Sequence, residues 1–202
     1  MISTRFINKT KPIILILFVL PSLVWIGMFI NGNLGVNPID ILMDRLGEMS
    51  LRLLVLVLII SSLSKFKYLR FLQNIRRLIG LVAFYYVFLH FTCYIFLDHF
   101  FNFNFIFKDV VKRPFITFGF LAFILLLPLV FTSTNNMMKK LTFKVWKKIH
   151  YLLYLIILLG ILHFYLLTKA NKTEPLVYLF IVFILFLVRI YTKIFVRRVA
   201  RL

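Results

Sequence analysis

The sequence predicts an all-α, polytopic membrane protein: a bundle of six transmembrane helices with both termini in the cytoplasm. Three observations carry this. First, 62% of the 202 residues are hydrophobic and the mean hydropathy is +0.99, whereas a soluble domain is about half apolar. Second, the excess falls in six runs, about 13–30, 49–63, 77–97, 115–131, 146–167 and 176–195. At ~1.5 Å per residue most of these reach ~25–30 Å as helices, enough for the hydrocarbon core. Third, charge is distributed unevenly between alternate connecting segments, in step with an even number of crossings.

The first run follows a basic leader, Arg5, Lys9 and Lys11. It is long for a signal-peptide core and lacks a small-residue cleavage site, so a retained first helix is expected. The second run is short and carries Arg52 near its start, where the guanidinium can snorkel to the headgroups. The third holds His90 and Cys93, the single cysteine, so no disulfide framework or Cys-ligated cluster is expected. The segment that follows, Phe100–Phe107, is expected as a Phe-rich loop in the outer interface of the membrane, with a docking surface as the weaker alternative. Pro128 in the fourth run, like Pro21 in the first, can kink its helix. The fifth run carries His150 and His163, and the sixth adds only hydrophobicity.

The net charge of +19 would suggest nucleic acid in a soluble protein. Its placement says otherwise. The N-terminus, Ser64–Arg77, Thr132–Lys148 and the end from Arg189 hold 18 of the 25 Lys and Arg and no acid. The alternate segments hold the other 7 and all six acids: Asp40, Asp44, Glu48, Asp98, Asp109 and Glu174. This is the positive-inside pattern, which sets the basic segments in the cytoplasm. No nucleic-acid partner is expected; the membrane lipid is the partner that the composition requires. No Gly-rich phosphate loop is present.

Of the four histidines, His99 lies beside Asp98 in the expected outer loop and is read as interfacial. The other three lie within or at the ends of apolar spans, where ionisable groups are expensive and usually retained for a role. A lone histidine could simply bridge helices. Three at matching depths point to axial ligation of haem iron. In the third and fifth runs, which cross in the same direction, Arg77 precedes His90 by thirteen residues and His150 precedes His163 by thirteen. That sets His90 level with His163 and Arg77 level with His150, ~20 Å apart along the axis. One bis-histidine haem is expected between His90 and His163. At the His150 level Arg76 or Arg77 would face haem propionates, and a second haem there would bridge the gap. On an ideal helix thirteen residues leave the two side chains ~140° apart, so helix distortion or approach from two sides is required. Gly80 and Gly160 are candidate gaps for a flat macrocycle; close helix packing explains them equally.

Zinc would need ligands clustered more tightly than these histidines. A proton path would need Asp or Glu inside the spans, and none is expected there. The basic loop with Lys139, Lys140, Lys144, Lys147 and Lys148 could dock an acidic electron donor, although topology explains it more simply. A stand-alone ferric reductase and a non-redox transporter or assembly factor remain the rival readings.

The segments NGNLGVNPIDILMDRLGEMSLRLL, RRLIGLVAFYYVFLHFTCY, KRPFITFGFLAFILLLPLVFTST and WKKIHYLLYLIILLGILHF occur in this order between Asn31 and Lys169. Together they resemble the MsrQ (YedZ) family, the haem-binding membrane subunit of the bacterial periplasmic methionine sulfoxide reductase system, within the ferric-reductase-like transmembrane group. The resemblance implies one such domain over residues 1–202 of an inner-membrane protein, and an electron-transfer subunit rather than a catalytic one. It implies b-type haem, flavin mononucleotide, and a molybdopterin-containing periplasmic reductase as electron acceptor. His90, His150 and His163 match the family's histidines, and Arg76 and Arg77 its arginine pair. The wider group has two histidines on the third helix where this chain has His90 alone. The group's oxidases continue into a flavin and nicotinamide domain; this chain ends at Leu202, so a cytoplasmic flavin reductase or quinol is the expected donor.

Overall fold

The computed structural model describes the backbone of residues 4–199 and the side chains of residues 9–192 apart from Lys67. Arg5, Lys67, Lys193, Arg197, Arg198 and Arg201, which enter the charge comparison, lie outside the described side chains. The described elements are helical throughout: α1 Thr4–Ile30, α2 Pro38–Leu63, α3 Gln73–Cys93, α4 Phe103–Lys112, α5 Pro114–Phe131, α6 Asn135–Lys140, α7 Phe143–His150, α8 Leu152–Leu167 and α9 Thr173–Val199. A 3₁₀ turn, Lys67–Leu72, leads into α3, and a π-turn, Tyr94–Asp98, extends it. Among the described residues, six segments are long and apolar enough to cross a membrane: Lys9–Ile30, Pro38–Leu63, Tyr68–Asp98, Pro114–Phe131, Phe143–Leu167 and Thr173–Thr192.

The second span departs most from expectation, beginning at Pro38 rather than near Met49. Residues 38–48 look polar because of Asp40, Asp44, Arg45 and Glu48, yet Leu42 and Leu46 fall on one helical face and are buried. Pro38 suits the first helical position, where its missing N–H costs nothing. The acids fall at i, i+4 and i+8 on another face, and Glu48 pairs with Arg52 at 2.7 Å. The expectation of acid-free spans is thereby corrected: the second span carries three carboxylates. Their polarity masked the helix, because an amphipathic stretch at a membrane edge does not read as an apolar run.

Half of the membrane window of α2 is buried, against 6% for α1. It is the hub, touching α1, α3, α8 and α9. Its Leu53, Leu54 and Leu58 meet Ile79, Val82, Ala83 and Tyr86 of α3 and Ile156 and Ile157 of α8 in one core. The closest helix pairs are α2 with α3 and α5 with α8. The helices that carry His90 and His163, α3 and α8, thus each lie beside a partner helix. Tyr86 donates to the Phe18 carbonyl at 2.7 Å and Tyr85 contacts Ser22 at 2.9 Å, fastening α1 to α3 beside Pro21.

Three short helices, α4, α6 and α7, join or lead into the spans. In the Phe-rich segment, the side chain of Asn102 accepts from Phe105 N at 3.2 Å and starts α4, correcting the expected loop. Thr134 and Thr142 likewise cap α6 and α7. Between α7 and α8 the helix tightens at Tyr151, whose N–H is shared between the Lys147 and Lys148 carbonyls at 3.1 and 3.2 Å.

Candidate functional site

His90 and His163 meet across the bundle. Their ring centres are 6.2 Å apart and their planes cross at 83°. His90 Nδ1 lies 2.9 Å from the Met43 carbonyl of α2, and His163 Nδ1 lies 2.6 Å from the Phe115 carbonyl of α5. A carbonyl only accepts, so Nδ1 is the protonated nitrogen in both rings and Nε2 keeps its lone pair. This arrangement, a backbone carbonyl behind a ligating imidazole, fixes tautomer and ring orientation in metal sites.

The spacing tests the fit to a metal. An imidazole bound to a first-row metal through nitrogen at about 2.0–2.1 Å has its ring centre slightly over ~3 Å from it. Two such rings on opposite sides would be separated by a little more than ~6 Å, in keeping with the 6.2 Å found. Among the described residues no group of three or more His, Cys, Asp or Glu could hold a metal ion. A histidine pair without further side-chain ligands suits a metal whose remaining positions are filled by a macrocycle, and the residues fit an axially ligated haem.

Two glycines make room for these rings. A Cβ at Gly47 would lie 3.1 Å from His90 Cε1, and one at Gly119 would lie 2.9 Å from His163 Nδ1. Gly80 and Gly160, the sequence candidates, face Val57 at 4.0 Å and Leu51 at 3.6 Å, and so serve helix packing. A mid-helix glycine in an apolar run is a visible signal; which of several faces an imidazole is not visible. The carbonyls of Met43 and Phe115 leave no sequence signal at all.

At the His150 level the construction differs. His150 Nδ1 lies 3.0 Å from the carbonyl of Trp146 on its own helix, so Nε2 again carries the lone pair. Facing Nε2 at 3.4 Å is Ser133 Oγ, whose proton goes to the Leu129 carbonyl at 2.7 Å. The Trp146 ring stacks on His150 with centres 4.0 Å apart. The guanidinium of Arg76 sits 5.9 Å over the Trp146 ring and its Nη1 is 3.4 Å from Ser61 Oγ. Arg76, Trp146, Met138, Leu141 and Phe143 line a recess of about 260 Å³. Trp146 Nε1 is buried and has no hydrogen-bond partner among the described residues. Arg77 turns away, exposed, and donates to Asn135 Oδ1 at 2.5 Å. Of the arginine pair, Arg76 is the one brought to His150. The tightened turn at Tyr151 lies between His150 and His163, where the thirteen-residue spacing called for either a distortion or approach from two sides.

His99 is 10% exposed, with Nε2 3.5 Å from both Asp98 and Asp109, and it belongs to a separate polar cluster under α4.

Residues 46–161 match the family described as ferric reductase like transmembrane component. The protein-methionine-sulfoxide reductase heme-binding subunit MsrQ of Herminiimonas arsenicoxydans is 45% identical over 80% of this chain and 75% of its own length. The protein of the same name from Rhodospirillum rubrum is 41% identical over 89% of this chain and 86% of its own. The magnetosome protein MamZ of Magnetospirillum gryphiswaldense is 37% identical over 94% of this chain, which covers 30% of that longer relative.

Proposed function

We propose, from the premise that this chain belongs to the MsrQ family of ferric-reductase-like transmembrane proteins, that it is the haem-binding, electron-carrying membrane subunit of a methionine sulfoxide reductase system. The observation that carries this reading is the crossed pair His90 and His163, each with Nδ1 held by a carbonyl and Nε2 left as a ligand. A b-type haem bound there would supply a one-electron iron couple. His90 and His163 would both hold its iron, which would favour electron transfer over oxygen binding, and the Met43 and Phe115 carbonyls would hold the rings so that they need little rearrangement on oxidation or reduction.

His150 would hold a second haem, with Arg76 and the indole N–H of Trp146 as the donors available to its propionates. Electrons enter at the basic end of the bundle, the cytoplasmic side, from a flavin reductase or quinol. They leave at the acid-bearing end to a periplasmic, molybdopterin-containing reductase that repairs oxidised envelope proteins. Both termini are then cytoplasmic and the membrane is the bacterial inner membrane. The positive-inside charge pattern supports that orientation. Flavin mononucleotide is the remaining cofactor that the family resemblance implies.

A visible spectrum of the purified, haem-replete chain tests the reading. A Soret band that shifts on dithionite reduction is expected. A colourless protein would instead support a non-redox membrane protein whose histidines bridge helices.

A further inference from the structure

Helix α4 is short and strongly two-sided. At ~100° per residue, Phe103, Phe107 and Val111 form one stripe, and Asn104, Lys108 and Lys112 form the next. Phe103 is 66%, Phe107 71% and Val111 68% exposed. Asp109 lies two residues beyond Phe107, ~200° around the helix, and so on the opposite side. That side is fastened. Asp109 is buried, with one carboxylate oxygen 3.3 Å from Arg113 Nε and the other 3.5 Å from His99 Nε2. Tyr94 packs edge-on against His99 with ring centres 4.5 Å apart. Thr117 of α5 also donates to the Val110 carbonyl. With Asp109 on the buried side and Thr117 of α5 bonded to the Val110 carbonyl, the Phe103–Phe107–Val111 stripe faces outward.

The chain is bent to place it so. Phe100 and Phe101 adopt φ of 45° and 62°, the left-handed region that bulky residues avoid. This turn follows the span Tyr68–Asp98, and the next span begins at Pro114, so α4 lies at the end of the bundle between two membrane crossings. Exposed apolar side chains continue from it onto those spans through Phe96, Phe120 and Leu121. With Asp109 buried, the exposed charges along the helix are cations, Lys108, Lys112 and Arg113. Lys108 and Lys112, one turn apart, repel each other unless anions lie between them.

We propose that α4 is an in-plane membrane helix that seats Phe103, Phe107 and Val111 among phospholipid acyl chains and holds Lys108 and Lys112 at the level of the lipid phosphates. An apolar stripe beside a cationic one is how such helices bind the interface. The continuity with lipid-facing surface and the exposed cations favour phospholipid over a protein partner as the occupant. The inference does not depend on haem.

Site-directed spin labelling of the full chain, on a Cys93→Ala background in phosphatidylethanolamine–phosphatidylglycerol vesicles, tests it. Labels at Phe107→Cys and Val111→Cys should favour oxygen over a water-soluble nickel chelate by roughly threefold or more, and labels at Asn104→Cys and Lys108→Cys should show the reverse. Equal nickel access at all four positions overturns the proposal. A Phe107→Cys label that nickel reaches until a methionine sulfoxide reductase is added also overturns it, and assigns the face to a protein. As a second readout, Phe103→Trp should be quenched by acyl-brominated lipid beyond the background from Trp25 and Trp146. No added quenching counts against insertion.

Discussion

At the His90–His163 level each imidazole is braced by a carbonyl from a different helix, whereas at the His150 level the brace is the histidine's own helix. The first pair is therefore set by four helices at once: α2 and α5 supply carbonyls and glycines, and α3 and α8 supply the rings. His150 is faced by a serine, an indole and an arginine instead. Two facing imidazoles braced from outside their own helices require tertiary agreement among several elements. A one-histidine level, held from within its helix, sets a serine and an indole against the imidazole, with a recess beside the indole.

The sharpest way to break the comparison is to remove a ring. His90→Ala or His163→Ala is expected to abolish haem at that level, read from haem-to-protein stoichiometry and the reduced spectrum. If both variants keep the wild-type reduced spectrum, the ligand assignment fails. His150→Ala comes next. With two equal sites occupied it should lower haem content by about half and leave the His90–His163 signal in place. Complete loss would mean that the two levels are not independent.

Smaller effects separate the glycines. Gly119→Ala forces a Cβ to within 2.9 Å of His163 Nδ1, an overpacking that costs about 1–3 kcal/mol. A lowered Tm with weakened haem retention is expected. Gly80→Ala, with its nearest neighbour at 4.0 Å, should be neutral or stabilising by up to about 1 kcal/mol from helix propensity. Equal outcomes for the two would show that the imidazole contact at Gly119 is of no consequence. The smallest contrast is between Arg76→Ala and Arg77→Ala. The first should perturb the spectrum or potential of the His150 level, because Arg76 lines the recess. The second, exposed and bonded to Asn135, should leave it unchanged.

Much of this was legible in the residues. Leu-, Ile- and Phe-rich runs have only one way to satisfy backbone polar groups in lipid compatible with their length, so the spans from Ile13, Phe115 and Leu176 show themselves. The equal spacing of His90 and His163 from their basic starting points follows from a constant rise per residue, and the structure sets the two rings opposite each other. The same arithmetic was too coarse to choose between Arg76 and Arg77. One residue changes height little but rotates the side chain by ~100°. The N-terminal part of α2 was hidden because its carboxylates and Arg45 break the apolar run, although Leu42 and Leu46 keep a helical face. That hidden part supplies both the Met43 carbonyl and Gly47 to His90.

By itself the sequence determined that the chain is a membrane helix bundle, which histidines lie at membrane depth, and at what relative heights. These are one-dimensional quantities: hydrophobicity summed along a run and rise multiplied by residue number. Tertiary structure alone decided which glycines face imidazoles, which carbonyls brace them, which arginine turns inward, and that Asp109 lies on the buried side of α4 with Phe103 and Phe107 outward. The physical reason is rotational. Each depends on how a helix is rolled about its axis, and that roll is set by packing against neighbours that no local pattern records.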